Sequence, residues 1–150
     1  MESIRVPHRK DIPKEQTWND AAVFADREAW REELAAVKAS IPGLESFPGT
    51  LSDSPARLVQ WYETLGALLR RFAKLQFYAY MAMAVDGEDA EAGAMVGQVG
   101  GLGAEIAARS AFADPELLAM DESTLKSWLA SEDSLSPYHH SIEDLLRGRS

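Results

Sequence analysis

The chain has 150 residues, of which 46% are hydrophobic and 26% charged, enough for one globular core and too few for two. The net charge of −9 argues against nucleic acid as a partner, and the lack of cysteine excludes disulfides and thiolate chemistry. The most apolar windows, residues 77–85 and 92–104, are shorter than the roughly 20 residues that cross a bilayer. Since no secretory signal follows Met1, the sequence predicts a cytoplasmic protein without a membrane partner.

Residues 1–20 are predicted to form an extended amino-terminal arm, followed by a helical lobe over residues 21–150. The arm contains two prolines and shows neither helical nor strand periodicity. Trp18, with Phe24 just beyond the arm, supplies the large apolar groups here, and a bulky aromatic residue near a terminus usually ties that terminus down. Trp18 is therefore expected to pack either on the chain's own core or on a neighbouring domain or subunit.

A first helix is predicted from Asp26 or Arg27 to about Ser40, where Ile41-Pro42-Gly43 ends it. Its apolar positions fall at core spacing: Trp30, Leu34 and Val37. The connection that follows contains Phe47-Pro48-Gly49-Thr50, which is typical of a turn.

The longest helix is predicted between Ser54 and Val85, and the rest of the chain is expected to be organised around it. Ser54 followed by Pro55 is a start signal, and Asp86-Gly87 is the matching stop. At about 1.5 Å per residue the helix would be roughly 45 Å long, so several partners must cover it. Its apolar residues lie alternately three and four positions apart: Leu58, Trp61, Leu65, Leu68, Phe72, Leu75, Ala79 and Ala82.

Charge is distributed unevenly along the chain. Residues 86–122 hold nine acids and a single base, Arg109. The long helix, by contrast, has a basic side made by Arg57, Arg70, Arg71 and Lys74. The acids are interpreted as a solvated surface with helix-capping carboxylates. The alternatives are contact between the two faces or docking onto a basic partner.

A glycine-rich helix is predicted from Glu88 to about Phe112. Each interior glycine costs on the order of 1 kcal/mol against alanine, so this helix depends on tertiary contacts. Gly93, Gly97 and Gly101 lie four residues apart, which predicts close approach of another backbone along that face. A kinked or partly unwound segment and a ligand-binding loop are the alternatives.

Short helices complete the chain. Asp114-Pro115 is interpreted as a cap that opens a helical turn over residues 116–119, and a helix is expected from about Glu122 to Ser131. Ser136-Pro137 repeats the device before a last helix from Tyr138 to Arg147. The sequence therefore predicts an all-α bundle of about five helices organised around one long helix.

Residues capable of catalysis are scarce. His139 and His140 precede Glu143 at helical spacing that could present a metal site, but zinc needs at least three protein ligands and no others stand at a recognisable spacing. An intrahelical hydrogen bond or ion pair near the surface is the simpler interpretation. Phe77, Tyr78 and Tyr80 are expected to belong to the core or to line a groove.

Several short stretches occur in order along nearly the whole chain: Ile12-Pro13-Lys14-Glu15-Gln16-Thr17-Trp18, Phe24, Glu28-Ala29-Trp30, Ile41-Pro42, Phe47-Pro48-Gly49-Thr50-Leu51, Ser54-Pro55, Tyr78-Ala79-Tyr80, Phe112, Asp114-Pro115-Glu116-Leu117-Leu118, Leu135, Tyr138 and Ile142-Glu143-Asp144-Leu145-Leu146-Arg147. In this order and spacing they resemble the amino-terminal region of oligoendopeptidase F, a member of the thimet-like zinc metallopeptidases. The resemblance implies an all-helical, non-catalytic lobe that walls one side of a channel for short peptides. It also implies that zinc, held by a His-Glu-x-x-His motif, belongs to a separate catalytic domain.

This chain departs from the whole enzyme's pattern because His139 is followed by His140 and no His-Glu-x-x-His motif is present. No catalytic or metal-binding residue is therefore assigned, and the chain is expected to be a fragment or detached domain that is inactive alone. Its partners would be the catalytic domain and, through it, oligopeptide substrates. The expected interdomain or channel-facing contacts are Trp18, Phe24, Tyr78 and Tyr80. A bare apolar patch is expected near Trp18 or residues 78–83. The alternative is a stand-alone helical interaction or dimerisation module.

Overall fold

The computed structural model describes Pro7 and residues 11–148, and in this part of the chain all regular structure is helical. There are six α-helices here: α1 (Arg27–Ser40), α2 (Pro55–Val85), α3 (Ala90–Ser110), α4 (Ala113–Ala119), α5 (Glu122–Ser131) and α6 (His139–Arg147). Short 3-10 segments lie at Lys14–Gln16, Asp20–Ala22, Ile41–Ser46 and Asp133–Tyr138. The all-α fold class is confirmed. Residues 1–6 and 8–10 of the predicted arm lie outside the described residues, and the arm's boundary stays a prediction.

Helix α2 begins and ends where the sequence predicts. The Ser54 hydroxyl accepts a hydrogen bond from the Arg57 N–H at 3.1 Å, and Pro55 occupies the first turn, where no N–H is needed. At the other end the helix stops at Val85, before Asp86. The predicted apolar face is turned inward, although Leu65, Phe72 and Ala82 are only partly covered: the buried residues are Leu58, Trp61, Leu68, Leu75, Tyr78 and Ala79.

Helix α1 lies against α2 through a buried indole. The Asp26 carboxylate caps α1 by accepting from the Ala29 N–H at 2.8 Å. Trp30 is fully buried, and its Nε1 donates to the Leu75 carbonyl in the middle of α2 at 3.0 Å. Since a buried indole N–H requires an acceptor, this bond gives α1 a fixed partner on α2.

The turn after α1 is tied to α4 by a single carboxylate. Gly49 has a φ of +77°, the left-handed region that favours glycine, and the Thr50 N–H donates to the Phe47 carbonyl at 2.9 Å. Glu116 accepts from the backbone N–H groups of Gly49 at 2.8 Å and Leu51 at 2.7 Å. The predicted turn is confirmed, and it is joined to a residue far along the chain.

Two predicted helix starts are wrong. Helix α4 begins at Ala113 after Phe112, so Asp114 is not its cap and Pro115 is the third helical residue. The reason is that Phe112 keeps helical backbone angles instead of the extended ones that a capping side chain needs, and proline is tolerated in a first turn. Similarly, the pair 136–137 lies inside the 3-10 segment Asp133–Tyr138, and α6 begins one residue later than predicted.

The glycines of α3 do not bring another backbone close, which corrects the prediction for Gly93, Gly97 and Gly101. A Cβ placed at Gly97 or Gly101 would meet nothing within 4 Å, and one at Gly93 would touch only the Met83 sulfur at 4.0 Å. Gly103 lies on a different face of α3. A side chain is not tolerated there without movement, because a Cβ would lie 2.9 Å from the Phe72 ring. Helix α3 is continuous from Ala90, so the unwound alternative is excluded as well.

Candidate functional site

The predicted contact residues gather around the carboxyl-terminal half of α2. The Trp18 ring lies edge-on to Phe77 at 6.0 Å between centroids and to Tyr78 at 6.1 Å. The Phe24 ring is edge-on to Tyr78 at 5.4 Å. Trp18 therefore packs on its own chain, and its additional contact with a neighbouring domain or subunit stays a prediction.

These four residues differ in how much surface they leave for a partner. Phe24 and Tyr78 are only 8% and 5% exposed, since neighbouring side chains of the same chain cover them. Trp18 is partly buried, whereas Tyr80 is 51% exposed. Contacts of the four with another domain stay a prediction, and Tyr80 has the largest surface with which to make them.

An exposed apolar face runs along the same half of α2, and we name it the outer face. Its large members, Leu69, Phe77 and Tyr80, are 43%, 52% and 51% exposed, and they are the large hydrophobic residues that stand exposed among the described ones. Ala73 and Ala84 are also exposed and continue the helical spacing over roughly 22 Å. Tyr80 lies in the segment predicted to be bare, whereas Tyr78 is buried.

The small residues of α3 lie beside the outer face. Phe72 and Met83 on α2 reach Gly103 and Gly93 on α3, which places the two helices side by side over this length. Gly97 and Gly101 are exposed, and a Cβ at either would meet nothing within 4 Å. Gly93 and Gly103 therefore lie along the contact with α2, whereas Gly97 and Gly101 face open space.

An ion-pair network fastens α1 to the start of α3. Arg27 donates to both carboxylate oxygens of Asp89 and to Glu91, and Arg31 also contacts Glu91. The hydrogen bond from Arg27, followed by that from the Ala92 N–H, lowers the pKa of Asp89 to about 2. The same Asp89 bond raises the pKa of Arg27 above its ordinary value.

The basic residues of α2 do not meet the acidic segment 86–122, so that proposed contact is wrong. Arg71 instead pairs with Glu33 on α1 at 2.6 Å, and the bond lowers the pKa of that carboxyl. Lys74 lies over the Phe24 ring at 4.6 Å. The sequence offered no signal for these ion pairs, because Glu33 and Arg71 are 38 residues apart, Arg27 and Asp89 are 62 apart, and they meet only in the folded chain.

The histidines make local contacts on α6. His139 Nδ1 lies 3.5 Å from a Glu143 carboxylate oxygen, and His140 Nε2 lies 3.2 Å from one of Asp144. Both rings are exposed, and no group of three His, Cys, Asp or Glu side chains in the described part of the chain is arranged to hold a metal ion. These residues therefore do not fit a zinc site of the kind that the resemblance implies for the whole enzyme.

Comparison with known proteins bears on the whole chain. The family model described as Oligopeptidase F matches residues 116–150. Oligopeptidase PepF of Bacillus subtilis is 29% identical over 97% of this chain, and Group B oligopeptidase PepB of Streptococcus agalactiae is 29% identical over 95%. The chain spans only 22% and 24% of the lengths of these relatives.

Two solved structures share the fold. The crystal structure of a putative peptidase from Chlamydophila abortus superimposes with a TM-score of 0.86 and 24% identity over 97% of this chain. That of oligoendopeptidase-F from Enterococcus faecium gives a TM-score of 0.74 and 17% identity over 83%. In each case the matched region is 24% of the solved chain. No helix among the described residues is long and apolar enough to cross a membrane.

Proposed function

Because the chain matches the amino-terminal region of oligoendopeptidase F-like peptidases, we propose that it serves as the non-catalytic amino-terminal lobe of such a peptidase. The observation that carries the proposal is the alignment of 97% of this chain with 22% of a peptidase. Hydrolysis of short peptides would then be the work of the remaining part of that enzyme. This lobe would help to wall the channel through which peptides reach the catalytic domain.

The outer face of α2 is the surface we assign to the catalytic domain. Leu69, Phe77 and Tyr80 expose apolar rings and side chains along one line, and such a line is the usual mark of an interaction surface. The proposal assigns the zinc to the remainder of the enzyme, since the described residues provide no ligand cluster for it.

The alternative proposal is a stand-alone module that dimerises through the same face. Exposed Leu69, Phe77 and Tyr80 would suit packing of a second copy as well as packing of another domain. Sedimentation velocity separates the two functions. A concentration-independent monomer that sediments as a complex only with the catalytic domain supports the lobe, and a stable homodimer supports the module.

The direct experiment begins with the coding sequence that adjoins this chain, read in frame and in neighbouring genes for a His-Glu-x-x-His motif. The segment that carries it is then purified and mixed with this chain, and peptidase activity is measured with and without the lobe. Tyr80→Glu places a charge on the outer face and is expected to abolish complex formation. Ala36→Glu, on the exposed side of α1, is the matched control and should leave it intact.

Failure of the wild-type chain to bind any segment with this motif would contradict the lobe proposal. Equal loss of binding in Tyr80→Glu and Ala36→Glu would contradict the assignment of the outer face while leaving the lobe itself in place.

A further inference from the structure

A cavity of about 220 Å³ lies where the amino-terminal segment crosses the end of α2. It opens to solvent on one side, and its polar and aromatic lining comes from four parts of the chain: Trp18, Asp20, Arg27, Tyr78, Asp86 and Asp89. The volume is below the roughly 300–1,000 Å³ of sites for drug-sized ligands. It therefore suits a group the size of one amino-acid side chain.

Tyr78 brings an unpartnered hydroxyl to this cavity. The residue is only 5% exposed, and its hydroxyl makes no hydrogen bond to a described residue. No side-chain oxygen or nitrogen in the described part of the chain is both fully occluded and unpaired, so the hydroxyl reaches the open space that the residue lines. Burial, then the nearby charge of Asp20, raises the pKa of Tyr78 above its ordinary value. The ring is buried while the hydroxyl stays accessible from the cavity, so it can accept a hydrogen bond from a ligand there.

The cavity has an excess of negative charge. Arg27 forms ion pairs with Asp89 and Glu91, so its charge is balanced by those two carboxylates and does not balance Asp20 or Asp86. Asp20 and Asp86 make only local hydrogen bonds, from the backbone N–H groups of residues 21 and 88 at 3.0 Å each. Two carboxylates consequently face the cavity without a cationic partner among the described residues.

The residues that line the cavity indicate which kind of cation would fit it. No group of three His, Cys, Asp or Glu side chains among the described residues is arranged to hold a metal ion, so two carboxylates alone favour an organic cation over a metal ion. The Trp18 ring supplies an aromatic wall, which attracts ammonium groups through the ring quadrupole. An ammonium group on an alkyl stem meets all of these conditions, since its N–H groups can donate to two carboxylates and to one hydroxyl oxygen.

We propose that this cavity binds the primary ammonium group of a short peptide, either a lysine side chain or the free amino terminus. Asp20 and Asp86 are the carboxylate partners, the Tyr78 oxygen accepts a third hydrogen bond, and Trp18 covers the alkyl stem. The ammonium chemistry stands on the cavity alone, whereas the choice of a peptide as its carrier rests on the proposed function.

The test of the ammonium site uses n-butylamine and the whole 150-residue chain. Titration at low salt is followed through the Trp18 indole signal in two-dimensional NMR, assigned with Trp18→Phe. The double variant Asp20→Asn/Asp86→Asn keeps both local hydrogen bonds and is expected to weaken binding at least about tenfold, since bonds to charged groups are lost. Tyr78→Phe is expected to weaken it about threefold.

Glu63→Gln/Glu88→Gln is the matched control, because it removes two exposed acids that do not line the cavity. It is expected to weaken butylamine binding less than about twofold, through screened long-range charge alone. A Trp18 signal that does not saturate with butylamine overturns the site. Equal weakening in the two double variants overturns it too, because binding would then reflect net charge.

Two peptides identify the carrier. Nα-acetyl-lysine amide offers only the side-chain ammonium and glycylglycine amide only the terminal one, so the one that binds names the source. If butylamine binds and neither peptide does, the ammonium site stands and the peptide as its carrier is overturned. Complex formation with the catalytic domain is measured separately, so a failure here is distinct from a failure of the lobe proposal.

Discussion

The two halves of α2 have similar apolar sequences and different surroundings. In the first half, Trp61 is fully buried and its ring contacts Phe47 at 5.3 Å and Phe112 at 4.9 Å, while the neighbouring Tyr62 stacks on Tyr138 at 4.6 Å. In the second half, the outer face is bare. Phe47, Phe112 and Tyr138 surround the first half, whereas Trp18 and Phe24 pack on the second half and leave the outer face uncovered. A helix of 31 residues thus needs more partners than this lobe contains.

The halves are also fastened by different interactions. Around the first half, aromatic packing dominates, together with the two backbone N–H groups of the turn that donate to the Glu116 carboxylate. Around the second, α1 is joined to α2 and α3 by ion pairs of Arg71 with Glu33 and of Arg27 with Asp89. The first half is expected to respond mainly to loss of volume, and the second to pH, salt and loss of charge.

The largest effect is expected from Trp61→Ala. Removing a fully buried indole leaves a cavity in the enclosed half and is expected to lower the free energy of unfolding by about 3–5 kcal/mol, measured by urea denaturation. Trp18→Ala removes the same ring from a partly buried place beside the open half and is expected to cost about half as much. Equal losses in the free energy of unfolding for the two variants would contradict the difference in burial between the two halves of α2.

Acid is expected to lower the free energy of unfolding by weakening the ion pair beside the second half of α2. Because the pKa of Asp89 is lowered from 3.8 to about 2 in the folded chain, its contribution is complete above about pH 4 and is lost as the pH falls to about 2. With both side chains partly exposed to water, we expect about 1 kcal/mol from this pair.

Urea unfolding at pH 5 and pH 2.5 measures that contribution. Asp89→Asn keeps an acceptor for the Ala92 N–H, so its stability should fall by about 1 kcal/mol less than that of the wild type between the two pH values. Identical dependence of the free energy of unfolding on pH in the two proteins would show that the ion pair of Arg27 with Asp89 does not stabilise the fold.

Glycine substitutions in α3 should separate open surface from packed surface. Gly97→Ala fills empty space on an exposed helical face and is expected to raise the free energy of unfolding by about 0.5–1 kcal/mol. Gly103→Ala places a methyl group 2.9 Å from the Phe72 ring and is expected to gain less or to lose stability. A larger gain at Gly103 than at Gly97 would reverse this assignment of the two surfaces.

The smallest effect is expected on the outer face itself. Leu69→Gln and Tyr80→Gln keep helix-forming residues at exposed positions and are each expected to change the free energy of unfolding by less than about 0.5 kcal/mol. The same variants should raise solubility, measured as the concentration at which light scattering begins. A loss above 1 kcal/mol would mean that this face is covered within the chain.

Local patterns predicted much of the fold. The bounds of α1 and α2 follow from Asp26, Ser54 and Pro55, whose capping groups act on backbone within one turn, and core positions such as Trp30 follow from helical periodicity. The failures are of two kinds. Asp114-Pro115 has the composition of a cap, yet the preceding backbone stays helical, so composition and geometry disagree.

The second kind of failure concerns relations between distant segments. The glycine spacing of α3 specifies a smooth surface but not what approaches it, and the structure places Phe72 against Gly103 while Gly97 stays open. The pairing of Arg27 with Asp89 and the cavity beside Tyr78 both arise from tertiary packing. Trp18 and Tyr78 could be selected from the sequence as large aromatic residues, but not as two walls of one acidic cavity.

The bond from the Trp30 indole to the Leu75 carbonyl also limits how the lobe can deform. Sliding α1 along α2 by even one residue would displace the donor about 1.5 Å along the axis and leave a buried N–H without an acceptor. Rotation about this point keeps the bond, so the two helices can pivot but cannot shear past one another. An axial displacement of α2 would therefore carry α1 with it.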